Sequence, residues 1–166
     1  MKNFYKEIEN ICRNKKRVAM FVDMDGTIVE YKVYPKGEIT NSTKGKFNNE
    51  KPVVPIVEEL EIISKIENLD IYILTLAKSN IIVQEKKEWL RKNISFIKPE
   101  MWIIINKEKG QYTKETRNYI KAEKMKEKLG FYDHVILLDD EHEILKSTQE
   151  ILKDKCNVYH ISSVIV

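Results

Sequence analysis

The run Arg17-Val18-Ala19-Met20-Phe21-Val22-Asp23-Met24-Asp25-Gly26-Thr27 constrains this chain more than any other stretch, because an unbroken apolar segment ends on two carboxylates and a glycine turn. A short apolar run bounded by a turn signal reads as a buried strand. Side chains alternate along a strand, so Asp23 and Asp25 would share a face if it ran on. Neighbouring anions repel unless a cation or a proton intervenes. The arrangement asks for a metal ion. Taking Asp23 as a turn cap and Asp25-Gly26 as loop punctuation leaves the apolar run before them unexplained.

The rest of the chain repeats the same theme. Further apolar strands are expected at Ile71–Leu74, Met101–Ile105, Val135–Leu138 and Val158–Ile161, which with the first makes five. Between them lie helical patterns: Ile56, Leu60 and Ile63 behind Pro55; Val83, Leu90 and Ile94 behind Ser79; Met125 and Leu129 ending at Gly130; Ile144, Thr148 and Ile151. Phe4, Ile8 and Ile11 predict one more amphipathic helix before the first strand. Alternating apolar strands and amphipathic helices predict an α/β fold, a doubly wound parallel five-stranded sheet covered on both faces. Such sheets bind ligands at the carboxyl ends of their strands.

Residues 28–51 break the rhythm, and alternation through Glu30, Tyr31, Lys32, Val33 and Tyr34 followed by Pro35-Lys36-Gly37 predicts a short hairpin flap plus loop after the first strand. The chain of 166 residues, 42% apolar, suits one domain over residues 1–166. Basic and acidic residues nearly cancel at +3, so neither nucleic acid nor a membrane is implied as partner. Cys12 and Cys156 have no pairing or ligand spacing and read as packed thiols in a reducing, cytoplasmic setting. His134, His142 and His160 lack ligand spacing and are not expected in catalysis.

Informative polar residues fall where such a sheet would place a site: Asp23 after the first strand, Thr75 after the second, Asp139-Asp140 after the fourth. Asp-x-Asp-Gly-Thr, then Ile-Leu-Thr75, then Leu-Leu-Asp139-Asp140, in this order, resemble the signatures of the haloacid dehalogenase (HAD) superfamily, in a capless or minimal-flap form. That resemblance implies a phosphatase. Asp23 would be the nucleophile that forms an aspartyl phosphate, and Asp25 the general acid and base. Thr75 would hold a phosphate oxygen, aided by backbone N–H groups toward the next helix. Lys121 would neutralise the nucleophile and the phosphoryl group, with Lys109 as the alternative.

The resemblance also implies Mg²⁺ as cofactor, held by Asp23, Asp140 and the backbone carbonyl of Asp25, with Asp139 as the weaker metal ligand or an outer partner. The segment Glu85-Lys86-Lys87-Glu88-Trp89-Leu90 is similar to one in bacterial relatives of the pyrimidine 5'-deoxyribonucleotidases. It points to a nucleotide among the phosphorylated substrates, a small molecule rather than a macromolecule, with Tyr31, Tyr34 or Phe47 as stacking or packing aromatics. The competing expectations are a catalytically silent binding or regulatory protein of the same fold and a receiver domain. The first sits badly with an intact aspartate pair, the second with an acidic pair this late in the chain.

Overall fold

The structure, a computed structural model, describes residues 2–32, 45, 47 and 49–165. Helix α1 (Lys2–Arg13) precedes strand β1 (Val18–Val22), followed by α2 (Val54–Ile63), β2 (Leu69–Ala77), α3 (Asn80–Asn93), β3 (Trp102–Asn106), α4 (Ile120–Lys126), β4 (His134–Asp139), α5 (His142–Leu152) and β5 (Cys156–His160). The five strands form one sheet in the order β3-β2-β1-β4-β5, every neighbouring pair parallel. This is the doubly wound α/β sheet expected from the sequence. Most of the anticipated hairpin flap lies outside the described residues.

Strand alternation divides the core in two. Val18, Met20, Val22, Ile71, Ile73, Ile136 and Leu138 face one way and pack with Phe4, Ile8 and Cys12 of α1, Ile56, Leu60 and Ile63 of α2, and Ile82, Trp89 and Leu90 of α3. Ala19, Phe21, Tyr72, Leu74, Val135 and Leu137 face the other way, against Met125 of α4 and Ile144, Leu145 and Leu152 of α5. Both cysteines are free and buried, as packed thiols should be. Among the described residues no helix is long and apolar enough to cross a membrane.

Two local outcomes differ from the sequence reading. The second strand does not end at Thr75: Leu76 and Ala77 continue it, because β3 offers them pairing partners in Ile105 and Asn106 after β1 has stopped. On α3 the buried side chains are Ile82, Lys86, Trp89 and Leu90, with Val83 only half-buried. A lysine therefore occupies the middle of the stripe that faces the sheet.

Candidate active site

Register alone brings the first acidic residues together. Val22 of β1 is level with Leu138 of β4, and the Asp23 N–H donates to the Leu138 carbonyl at 3.0 Å, so Asp23 and Asp139 leave adjacent strands side by side. Both belong to the α4 side of the sheet by alternation. Lys121, in the first turn of α4 and 2% exposed, sits between them and donates to Asp23 Oδ1 and Asp139 Oδ2, each at 2.6 Å.

Beyond Val22 the chain stops behaving as a strand. The N–H groups of Thr27, Ile28 and Val29 all turn back onto the Met24 carbonyl, and Gly26 adopts φ +76°, a conformation that side-chain-bearing residues rarely adopt. Asp25 consequently does not share its neighbour's partner. Its Oδ2 accepts from Lys86 Nζ at 2.5 Å, on the α3 side. The sheet thus gives each carboxylate of the Asp-x-Asp pair its own lysine, which corrects the expectation that their mutual repulsion alone calls for a metal.

Lys86, 1% exposed, gives its remaining hydrogens to Thr75 Oγ1 and the Leu76 carbonyl, both at 2.7 Å. An ammonium has three donors, so Lys86 is saturated. Its ring neighbour is Phe47, whose centroid lies 5.4 Å from Nζ. The sequence reading named the segment around Lys86 without assigning it a role. The signal was there: Ile82, Lys86, Trp89 and Leu90 share one helical face through i, i+4, i+7 and i+8 spacing.

Thr75 and Lys109 are placed differently from expectation. Thr75 is fully buried with its hydroxyl against Lys86, and the adjoining cleft wall is formed by Leu76, Ala77 and Lys78. Of the backbone donors at the turn that follows, the Ile82 N–H is on the Ser79 hydroxyl and the Asn80 N–H on the Glu108 carboxylate. Lys109 lies in an exposed turn closed by the Gly110 N–H on the Lys107 carbonyl, outside the cleft wall.

Asp23, Asp139 and Asp140 each present a carboxylate oxygen within 4.8 Å of the others. Three carboxylates against the one ammonium of Lys121 leave two negative charges, which matches a divalent cation. An all-carboxylate donor set suits a hard ion such as Mg²⁺. Gly26 gives Asp140 its room, since a Cβ there would stand 2.2 Å from Asp140 Oδ2. The Asp25 side chain is not part of this cluster.

The electrostatics agree with an acidic site short of counter-charge. Burial, then repulsion from Asp139 and Glu141, pushes the Asp140 carboxyl up to about 6. Asp23 is raised by burial and by its anionic neighbours, with Lys121 opposing. Burial alone would lower the Lys121 ammonium, but Asp23 and Asp139 outweigh it and hold it above its ordinary value. Asp139 also accepts from the Glu141 N–H at 2.9 Å, so its two oxygens are already used by the protein. Asp140 has no side-chain donor among the described residues, which favours it over Asp139 as a direct ligand.

The cleft above these groups has a volume of about 490 Å³. Arg117 and Glu141 form a two-pronged ion pair on its wall, at 2.5 and 2.8 Å, which raises the guanidinium and lowers the carboxyl. Tyr31 stands at the cleft 74% exposed, Phe47 is buried, and Tyr34 lies outside the described residues. The histidines stay out of the cleft wall: His142 and His160 stack on each other at 4.5 Å, His160 Nε2 lies 3.1 Å from the Asp140 carbonyl, and His134 is buried at the start of β4.

No family model matches the sequence, and no curated protein is significantly similar to it. Among solved structures the chain is similar to the HAD domain of the effector protein Lem4 from Legionella pneumophila, with a TM-score of 0.56 and 16% identity over 87% of each chain. At that identity the likeness concerns the fold alone: the chain has a HAD-like α/β architecture.

Proposed function

We propose that the chain is a Mg²⁺-dependent phosphohydrolase acting on a phosphomonoester through an aspartyl phosphate on Asp23. The observation that carries this reading is the convergence of Asp23, Asp139 and Asp140 within 4.8 Å at the carboxyl ends of two adjacent parallel strands, with Lys121 bridging two of them. Asp23 and Asp140 would hold the ion, which, when bound, supplies charge neutralisation for a phosphoryl oxygen.

Lys121 on Asp23 Oδ1 fixes the carboxylate and leaves Oδ2 to attack phosphorus. As that bond forms, the bond from phosphorus to the ester oxygen breaks, and protonated Asp25 gives its proton to the departing oxygen. Asp25, now a carboxylate, takes a proton from water while the water oxygen attacks phosphorus, and the bond to Asp23 breaks. Ester and water become alcohol and phosphate, with both aspartates restored. Lys86 orients Asp25 through Oδ2, and the side chain remains 40% exposed toward the cleft, wet enough to exchange protons.

A nucleotide is the substrate class favoured within this reading. Its support is the resemblance of residues 85–90 to a nucleotidase segment, whose Lys86 reaches Asp25, and a cleft large enough for a ligand of that size. The reading is tested with an aryl phosphate ester and Mg²⁺. Phosphate release is expected, abolished by chelator and reduced by roughly a thousandfold or more in Asp23→Asn. Undiminished turnover in that variant would remove Asp23 from the mechanism.

A further inference from the structure

A transferring phosphoryl group carries oxygens that need hydrogen-bond donors, and the side-chain donors of this cleft are largely committed elsewhere. Lys86 is saturated by Asp25, Thr75 and the Leu76 carbonyl. Lys121 has one hydrogen left after Asp23 and Asp139. Arg117 is forked onto Glu141, and Lys32 pairs with Glu50 at 3.2 Å. Lys78 and Tyr31 are exposed wall residues, not preorganised ones.

Tyr112 is different. It is 6% exposed and belongs to the apolar cluster on the α4 and α5 side of the sheet, yet it lines the cleft, and its hydroxyl makes no hydrogen bond among the described residues. It lines the same cleft as Asp23, Asp25, Arg117 and Lys121. The loop that delivers it is fixed. The Lys107 N–H bonds the Ala77 carbonyl at 2.9 Å, the Gln111 N–H bonds the Asn106 carbonyl at 3.1 Å, and the Gln111 side chain accepts from the Asn106 N–H at 2.7 Å. A phenol whose ring is packed and whose hydroxyl opens to the cleft without a protein acceptor can donate to a bound ligand.

We propose that Tyr112 donates its hydroxyl hydrogen to a phosphoryl oxygen of the bound substrate, alongside the spare hydrogen of Lys121. This rests on the phosphohydrolase reading and adds a binding residue to it. Tyr112→Phe keeps the packed ring and removes only the donor. With Mg²⁺ present, titration calorimetry with inorganic phosphate should show affinity lowered roughly tenfold, and kcat/KM for the aryl ester should fall roughly ten- to a hundredfold. Melting temperature and Mg²⁺ affinity should stay at the parent values.

Parent-like phosphate affinity and turnover in Tyr112→Phe would overturn the assignment and leave the phosphohydrolase reading standing. Loss of phosphate affinity in step with melting temperature and Mg²⁺ affinity would also overturn it, since that is the signature of a packing role. A parent protein that neither binds phosphate nor hydrolyses the ester would bring down both proposals together.

Discussion

Two buried lysines serve the same aspartate pair from opposite faces of the sheet, and their surroundings are unlike. Lys121 stands between two carboxylates that are 8% and 0% exposed, so every charge in that group is out of water. Lys86 is as deeply buried, but its acidic partner, Asp25, is 40% exposed and its other two partners are neutral oxygens. Breaking a buried ion pair by removing one partner leaves an uncompensated charge, whereas a half-exposed carboxylate can turn to water. The α4 side should therefore be where stability and charge balance are coupled. The α3 side should chiefly set the geometry of Asp25.

The largest effect that would test this contrast is Lys121→Met, expected to destabilise the metal-free protein by about 3–5 kcal/mol because Asp23 and Asp139 lose their shared cation. Chemical denaturation in chelator measures it, and a loss below about 1 kcal/mol would erase the distinction. Lys86→Met should cost less, about 1–3 kcal/mol for the lost hydrogen bonds to Thr75 and Leu76, while lowering kcat for the aryl ester more than it raises KM. If Lys86→Met unfolds the protein as readily as Lys121→Met does, the two sides are equivalent and the comparison fails.

The smallest effect concerns pH. Asp140 titrates at about 6 in the fold against an ordinary 3.8, so the folded state holds its proton more tightly than the unfolded chain. A raised carboxyl favours folding fully below its unfolded value and loses that contribution as pH rises through the folded one. Without metal, the melting temperature should fall by a few degrees between pH 4 and pH 7, about 2–4 °C for each kcal/mol lost. Added Mg²⁺ should cancel the decline, because the ion binds the ionised form. In Asp140→Asn the part of the slope due to this carboxyl should vanish, and an unchanged slope would assign it to other groups.

The legible part of the site was the part written in local order. Asp23, Asp25 and Asp139-Asp140 follow apolar strands, and a parallel sheet delivers strand ends to one edge wherever those strands pair. Lys121 was legible through the family resemblance, whose pattern sets a lysine at the opening of the helix before the acidic-pair strand, and it stands in the first turn of α4 ahead of β4. Lys86 was not assigned, because a lysine on an amphipathic helix ordinarily reads as solvated surface, and only the packing of Ile82, Trp89 and Leu90 turns its face inward. Thr75 was expected at a strand end because the length of β2 depends on β3, a partner some thirty residues away in sequence. Tyr112 belonged to a lysine-rich polar stretch with no periodicity to mark it.

From the amino-acid order came the alternation of strands and helices and the acidic strand ends, consequences of side-chain period and of which residues tolerate burial, whereas the choice of Lys121 came from the family resemblance. Tertiary structure decided what no local pattern encodes. The register of β1 against β4 set Asp23 beside Asp139, the turn at Gly26 sent Asp25 to the far side, and the two faces of the sheet gave each aspartate a different lysine. Distances between charges depend on how separate segments pack. Those distances, not the residue types, determine which charge answers which.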